Sequence, residues 1–230
     1  MVVDTNVVAL MKIVVAIDGP AGAGKSTIAK ALADQLKLRY LDTGAMYRAV
    51  TFAALDRKVE LNDEQAVAKI ARECIMQIDD DSISIDGVDA TKAIRGQEVT
   101  RAVSVVATNS LVRTELRNRQ RRWVDENSGG VVEGRDIGSV VFPDATLKVY
   151  LTASPMVRAQ RRVAQSGGDV DQIAREISER DQRDSSRSDS PLMKTNDSIT
   201  IDTSNRPIDE VVMQLRRLVS QNEPAVDAQG

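Results

Sequence analysis

The chain has 230 residues, 42% hydrophobic and 28% charged, with a formal charge of -3. That length suits one α/β domain carrying an insertion, the apolar content excludes a disordered chain, and the charge gives no bulk attraction to nucleic acid or anionic membrane. Histidine is absent and Cys74 is the single cysteine, which excludes intramolecular disulfides, the usual zinc sites and histidine-based triads.

In chain order, residues 1–11 (MVVDTNVVALM) contain an acid and lack a basic start, so they make a poor signal peptide, and residues 1–10 read as a flexible extension. No apolar run approaches the roughly 20 residues of a bilayer span, and the expected location is the cytoplasm. Residues 13–17 (IVVAI) have the composition of a strand buried on both faces of a parallel sheet. After Asp18-Gly19-Pro20, Ile28, Ala29, Leu32, Ala33 and Leu36 recur at helical spacing, which predicts a helix from Gly24 to about Leu36. Residues 39–41 read as a short strand and 44–55 as a helix.

Residues 56–96 differ from their surroundings and read as an inserted subdomain: they are acid-rich, with a helical pattern over 63–75. Over 75–88, IMQIDDDSISIDGV alternates around Asp79-Asp80-Asp81 and closes on Asp86-Gly87, the pattern of a hairpin. The three aspartates lack the spaced ligands of a calcium loop and read as a solvated turn; Cys74 reads as core. Residues 97–126 hold no proline or glycine and predict one long helix, with Asn109-Ser110 the place where it could break and Trp123 as an anchor at its end. Val131 and Val132, residues 147–151 (LKVYL) and residues 198–201 (SITI) read as further strands, and 155–165, 170–184 and 207–219 as helices. The alternation predicts an α/β fold, a five-stranded parallel sheet wrapped by helices, with a flexible tail over 221–230.

Gly19-Pro20-Ala21-Gly22-Ala23-Gly24-Lys25-Ser26 matches G-x-x-x-x-G-K-[ST] between a predicted strand and a predicted helix. Glycines let the backbone amides crowd round a phosphate, and the helix N-terminus adds a favourable field. Residues Gly19 through Ser26, with Thr27, are therefore the expected ATP site; Lys25 should reach the β- and γ-phosphates and Ser26 should place its hydroxyl on Mg²⁺. Such a loop alone does not choose between a GTPase switch, an ATPase motor and a small-molecule kinase.

Transfer to a phosphorylated acceptor needs cations around both phosphates. Three arginine clusters answer that need: Arg48 after the turn Asp42-Thr43-Gly44, Arg135 after a buried strand, and a third set of Arg158, Arg161, Arg162, Arg180, Arg183 and Arg187 straddling Ser166-Gly167-Gly168. The last resembles a mobile lid over residues 155–190, hinged at Gly-Gly and able to exclude water.

GPAGAGKST, LDTGAMYRA, EGRDIGSVVFPDA and ERDQRDSSRSDSPL resemble, in order and spacing, the bacterial cytidylate kinases, from about Lys12 to Val219. The resemblance implies a P-loop core, a monophosphate-binding part over about 43–110 with its insertion, a lid, and transfer from ATP with Mg²⁺ to CMP or dCMP; a monomer is the default expectation, and the charge argues against nucleic acid or membrane as partners. It implies that Lys25, Arg135, Arg158 and Arg162 stabilise the moving group, that Arg48, Arg135 and Arg187 hold the acceptor phosphate, that Arg180 and Asp184 contact the ribose, and that Ser104, Arg113 and Asp136 read the cytosine, with Thr43 lining the pocket. A carboxylate at Asp136 accepts the N4 amino group of cytosine, whereas uracil would present a repelling acceptor. Ser104 and Arg113, nine residues apart, would share one face of the long helix. Where some members have glycine after the P-loop lysine, this chain has Ser26, which strengthens the Mg²⁺ role. A kinase for another monophosphate such as UMP, or a nucleotide-dependent switch, is the alternative.

Overall fold

The computed structural model describes residues 12–222. The expected flexible stretch 1–10 lies outside them, as does the expected tail except Gln221 and Asn222, which end the last helix.

Five strands form the main sheet: β1 (Ile13–Asp18), β2 (Tyr40–Asp42), β6 (Gly129–Gly134), β7 (Leu147–Thr152) and β8 (Ile199–Asp202). They run parallel in the order β2-β6-β1-β7-β8, as the alternation of strands and helices requires. Successive side chains of a strand face opposite ways, so β1 serves two cores at once. Val15 and Ile17 meet α1 (Lys25–Leu36) and α8 (Ile208–Asn222) through Ile28, Leu32, Val211 and Leu215. Val14 and Ala16 face the cluster built by α2 (Thr43–Asp56), α3 (Glu64–Glu73) and α5 (Ser110–Glu126), with Met46, Ala49, Val67, Ile70 and Leu116. Each fully buried aliphatic side chain contributes about 1.5–3 kcal/mol against exposure, so the two faces together hold the sheet rigid.

The stretch 56–96 folds as α3 followed by an antiparallel sheet of β3 (Met76–Ile78), β4 (Ile83–Ile85) and β5 (Val88–Asp89). The expected hairpin thus gains a third strand through the turn Asp86-Gly87, whose φ values of 52° and 80° both lie in the left-handed region that Asp-Gly turns use. Ile83, Ile85 and Cys74 join the same apolar cluster as Leu41 and Val132. Asp79, Asp80 and Asp81 are exposed, but they do not simply face water: Arg39 reaches Asp79 and Asp80 at 3.2 and 3.3 Å, and Lys30 pairs with Asp81.

Residues 97–126 correct the expectation of one helix. They form α4 (Gln97–Val106) and α5, because the Asn109 side chain accepts the N–H groups of Leu111 and Val112 at 3.0 and 3.2 Å and starts a new helix. The argument that Ser104 and Arg113 share one helix face lapses with it. Beyond β6, residues Ile137–Val141 form a single π-helical turn that no periodicity announces. The helical hairpin of α6 (Pro155–Ser166) and α7 (Val170–Ser185) turns at Gly167-Gly168.

Candidate active site

Three of the candidate segments leave the sheet at the same edge. Parallel register sets Asp18 beside Gly134 and Asp42 beside Glu133, so the P-loop after β1, Thr43 after β2 and Arg135-Asp136 after β6 converge at the carboxyl ends of neighbouring strands.

At Gly19 a side chain would sit 2.0 Å from the Leu151 carbonyl oxygen, so only glycine lets the loop pass over β7. Gly24 opens α1 with no side-chain cap, which leaves the first amides of that helix free for an anion. Lys25 is buried and its ammonium donates to the Pro20 carbonyl at 3.0 Å. Burial, reinforced by the Arg135 charge, pushes the amine below its ordinary range, and a phosphate beside it would reverse that shift. Ser26 and Thr27 lie exposed at the start of α1.

Opposite the loop the expected arginines gather. Arg135 Nε and Arg187 both pair with Asp184, the former at 2.9 Å, so one buried carboxylate of α7 ties the end of β6 to the segment after α7. Arg180 is pushed down to about 9 by burial and by the neighbouring Arg135, against the pull of Asp184. Arg48 donates to Thr100 Oγ1 at 2.9 Å and to the Ile94 carbonyl at 3.3 Å; burial lowers it to about 10, and Arg162, Arg95 and Arg135 add to the shift while Asp42 opposes it. Mutual repulsion of this kind means that the cleft is built for anions. Arg158 pairs with Asp181 and touches the P-loop, whereas Arg161 turns aside to Thr203 Oγ1 and O at 2.9 and 2.6 Å, and Arg183 stays on the surface with Glu179.

A third group adjoins the arginines. Arg113, 2% exposed, donates to Asp136 at 2.5 Å and to the Ala107 carbonyl at 3.1 Å, where it closes the end of α4. The Tyr47 ring lies 5.5 Å from its guanidinium carbon, and burial raises the Tyr47 hydroxyl to about 12. Arg113 Nε is buried without a hydrogen-bond partner among the described residues, as is Nε of Arg180 and of Arg187. Ser104 is buried on α4, and Thr43 Oγ1 donates to the Glu133 carbonyl at 2.7 Å.

Sequence reasoning missed three participants. Glu133 is buried beside Lys25 and takes a hydrogen bond from the Tyr40 hydroxyl; burial raises its carboxyl above the usual range. Asp18 accepts the N–H groups of Ile137 and Gly138 at 2.8 and 2.7 Å and so sets the turn that follows Arg135-Asp136. Its one visible signal is an acid ending a buried strand just before the glycine loop. A cavity of about 350 Å³ lined by Met46, Cys74, Met76, Arg119 and Trp123 contains none of the candidate residues.

Arg135 just beyond β6, Arg48 of α2 and Arg180 of α7 gather near a glycine loop, an arrangement suited to phosphorylated ligands, and the molecule is a P-loop kinase, a phosphotransferase that acts on small substrates. Residues 15–221 match the family model described as cytidylate kinase. The chain is 49% identical over 206 residues to a cytidylate kinase of Desulforamulus reducens, covering 86% of this chain and 92% of the relative. It is 44% identical over 216 residues to a cytidylate kinase of a Geobacillus strain, covering 90% and 96%. A solved gluconokinase from Sinorhizobium meliloti shares the fold alone, with a TM-score of 0.50 at 12% identity over 92% of this chain and 93% of that one. The chain belongs to the cytidylate kinase family.

Proposed function

We propose that the protein transfers the γ-phosphoryl group of ATP to CMP and dCMP, giving CDP and dCDP. The observation that carries this reading is the buried Arg113–Asp136 pair, 2.5 Å apart, adjoining the arginines on Asp184. With one oxygen engaged by Arg113, Asp136 keeps lone pairs to accept from the N4 amino group of a cytosine but has no hydrogen to donate to a uracil O4. Ser104 and Thr43 line the same pocket. Arg48, Arg135 and Arg187 hold the acceptor phosphate, while Arg180 and Asp184 meet the ribose.

An acceptor phosphate oxygen attacks the γ-phosphorus in line. The new P–O bond forms as the bond to the β–γ bridging oxygen breaks, and the electron pair leaves on the terminal phosphate of ADP. That oxygen is already anionic at neutral pH, so no general base is needed. The loop of residues 19–27 cradles the donor through the free amides at the start of α1, and Lys25, Arg135, Arg158 and Arg162 meet the charge spread over the moving group. The Ser26 hydroxyl and the buried Glu133 carboxylate suit Mg²⁺, which combines few protein oxygens with substrate phosphates. When bound, the ion neutralises charge on the donor phosphates.

Closure of α6 and α7 as a lid excludes water and aligns the reactants. Residues 43–110 form the monophosphate-binding part. The protein works as a monomer in the cytoplasm, where both nucleotides are available, with small molecules and not nucleic acid or membrane as its partners. No helix among the described residues is long and apolar enough to cross a membrane.

ADP release measured with CMP, dCMP, UMP, AMP and shikimate as acceptors tests the reading. CMP and dCMP should accelerate release at least about tenfold over the others. Slow release indifferent to CMP would refute it.

A further inference from the structure

Ala21 is the one P-loop residue whose two backbone groups are both taken by the α6–α7 hairpin. Its N–H donates to Asp181 Oδ1 at 3.1 Å, and its carbonyl accepts from Arg158 Nη1 at 3.1 Å. The same Arg158 nitrogen donates to the other oxygen of Asp181. Asp181 and Arg158 lie on different helices, 23 residues apart, and their side chains are 17% and 11% exposed. The three contacts close a ring of loop backbone, acid and base that is largely sheltered from water.

The ring divides the guanidinium. Nη1 has two hydrogens, and both are committed, one to Asp181 and one to Ala21. Nη2 and Nε supply the other three of the five donors. Nε is buried and has no partner among the described residues. The helix is also tight against the loop, since a side chain at Gly22 would lie 2.9 Å from Arg158 Cβ. Arg158 is thus clamped at one end, beside the loop that would hold the donor phosphates.

We propose that Asp181 is a positioning residue for phosphoryl transfer, pinning Arg158 to the P-loop so that the uncommitted edge of its guanidinium meets the moving phosphoryl group. This rests on the kinase reading above and adds to it a carboxylate that touches no substrate. A planar donor must be aimed before it stabilises a transition state, and misplacement by about 1 Å can cost about 100-fold. Asp181 supplies the aim. On this reading its effect on turnover passes through Arg158, and its direct bond to the Ala21 amide only fixes the place where that arginine is held.

Steady-state kinetics of Asp181→Asn, Asp181→Ala, Arg158→Ala and the double variant Arg158→Ala/Asp181→Ala test this, with thermal unfolding of each as a check on folding. Asp181→Asn keeps an oxygen for the Ala21 amide but turns donors toward Arg158. Both Asp181 variants should lose about 10- to 100-fold in kcat with the KM for CMP unchanged within about twofold. The double variant should be no worse than Arg158→Ala within about threefold. Unchanged kcat, effects that multiply in the double variant, or full activity in Asp181→Asn would each overturn the proposal. Wild-type turnover of CMP is read in the same assay. Its absence would refute the kinase reading and take the proposal with it, whereas multiplying effects beside intact wild-type turnover would refute the role of Asp181 alone.

Discussion

Two parts of this molecule are fastened to the sheet by carboxylates, and they are fastened differently. The α6–α7 hairpin is tied through Asp184 to Arg135 at the end of β6, and through the Asp181–Arg158 pair to the Ala21 backbone after β1, and both arginine side chains are less than a fifth exposed. The turn between β3 and β4 is tied through Asp79, Asp80 and Asp81 to Arg39 and Lys30, with every one of those side chains more than a third exposed. Exposed pairs are screened and worth little; sheltered ones are expensive to break and leave a stranded charge. The contrast teaches that the costly pairs sit beside the glycine loop and the proposed acceptor site, while the insertion shares apolar side chains with the main core.

Four perturbations bear on that contrast, and the largest lies in the cleft. Lys25→Ala should lower kcat by at least about 10³-fold without loss of fold, measured by ADP release and circular dichroism. Activity within about tenfold of wild type would remove the P-loop from the chemistry. Asp136→Ala leaves Arg113 buried without its carboxylate and should reduce the preference for CMP over UMP by about 100-fold, read from the ratio of kcat/KM values. An unchanged ratio would strip Asp136 of the reading role.

A smaller effect concerns Asp18, whose carboxyl is raised from 3.8 to about 6, by burial acting against its two amide hydrogen bonds. The folded chain keeps that proton between pH 4 and 6 while the unfolded chain releases it, so Asp18 contributes stability at low pH that is lost as pH rises through 6. Relative to Asp18→Asn, wild-type stability in urea should therefore fall by about 2–3 kcal/mol between pH 4 and pH 7.5. A flat difference would show that the amide bonds cancel the effect of burial, and a rise with pH that they outweigh it.

The smallest effect lies in the insertion. Replacing Asp79, Asp80 and Asp81 by Asn should lower Tm by no more than about 3 °C in dilute buffer, and the difference should vanish near about 1 M salt. A large shift that persists in salt would erase the contrast between the two fastenings.

Which of these features a reader of the sequence can see depends on how far apart the interacting residues lie. The glycine loop, Arg48, Arg135 and the arginines flanking Gly167-Gly168 announce themselves because each is a short run whose chemistry is local. Strand β1 is equally plain, since burial on both faces leaves the unbroken apolar run IVVAI, whereas β7 and β8 show only short mixed runs. Asn109 carries the signal that splits residues 97–126, a capping side chain before an apolar run, but absence of proline and glycine argues the other way. Pairs that meet only through the fold stay hidden: Tyr40 with Glu133, Lys30 with Asp81, and Arg158 with Asp181 are separated by 93, 51 and 23 residues. Arg113 and Asp136 are likewise joined only by tertiary packing, and resemblance, not spacing, pointed to them. The turn at Ile137–Val141 has no pattern of its own because Asp18, from β1, holds it.

A crystal structure with CMP and a non-hydrolysable ATP analogue bound tests the whole arrangement most directly. The CMP phosphate should lie within hydrogen-bonding distance of Arg48, Arg135 and Arg187, facing the γ-phosphate held by Lys25, with the cytosine N4 amino group on Asp136. CMP bound elsewhere, or those guanidinium groups directed away from its phosphate, would contradict the account.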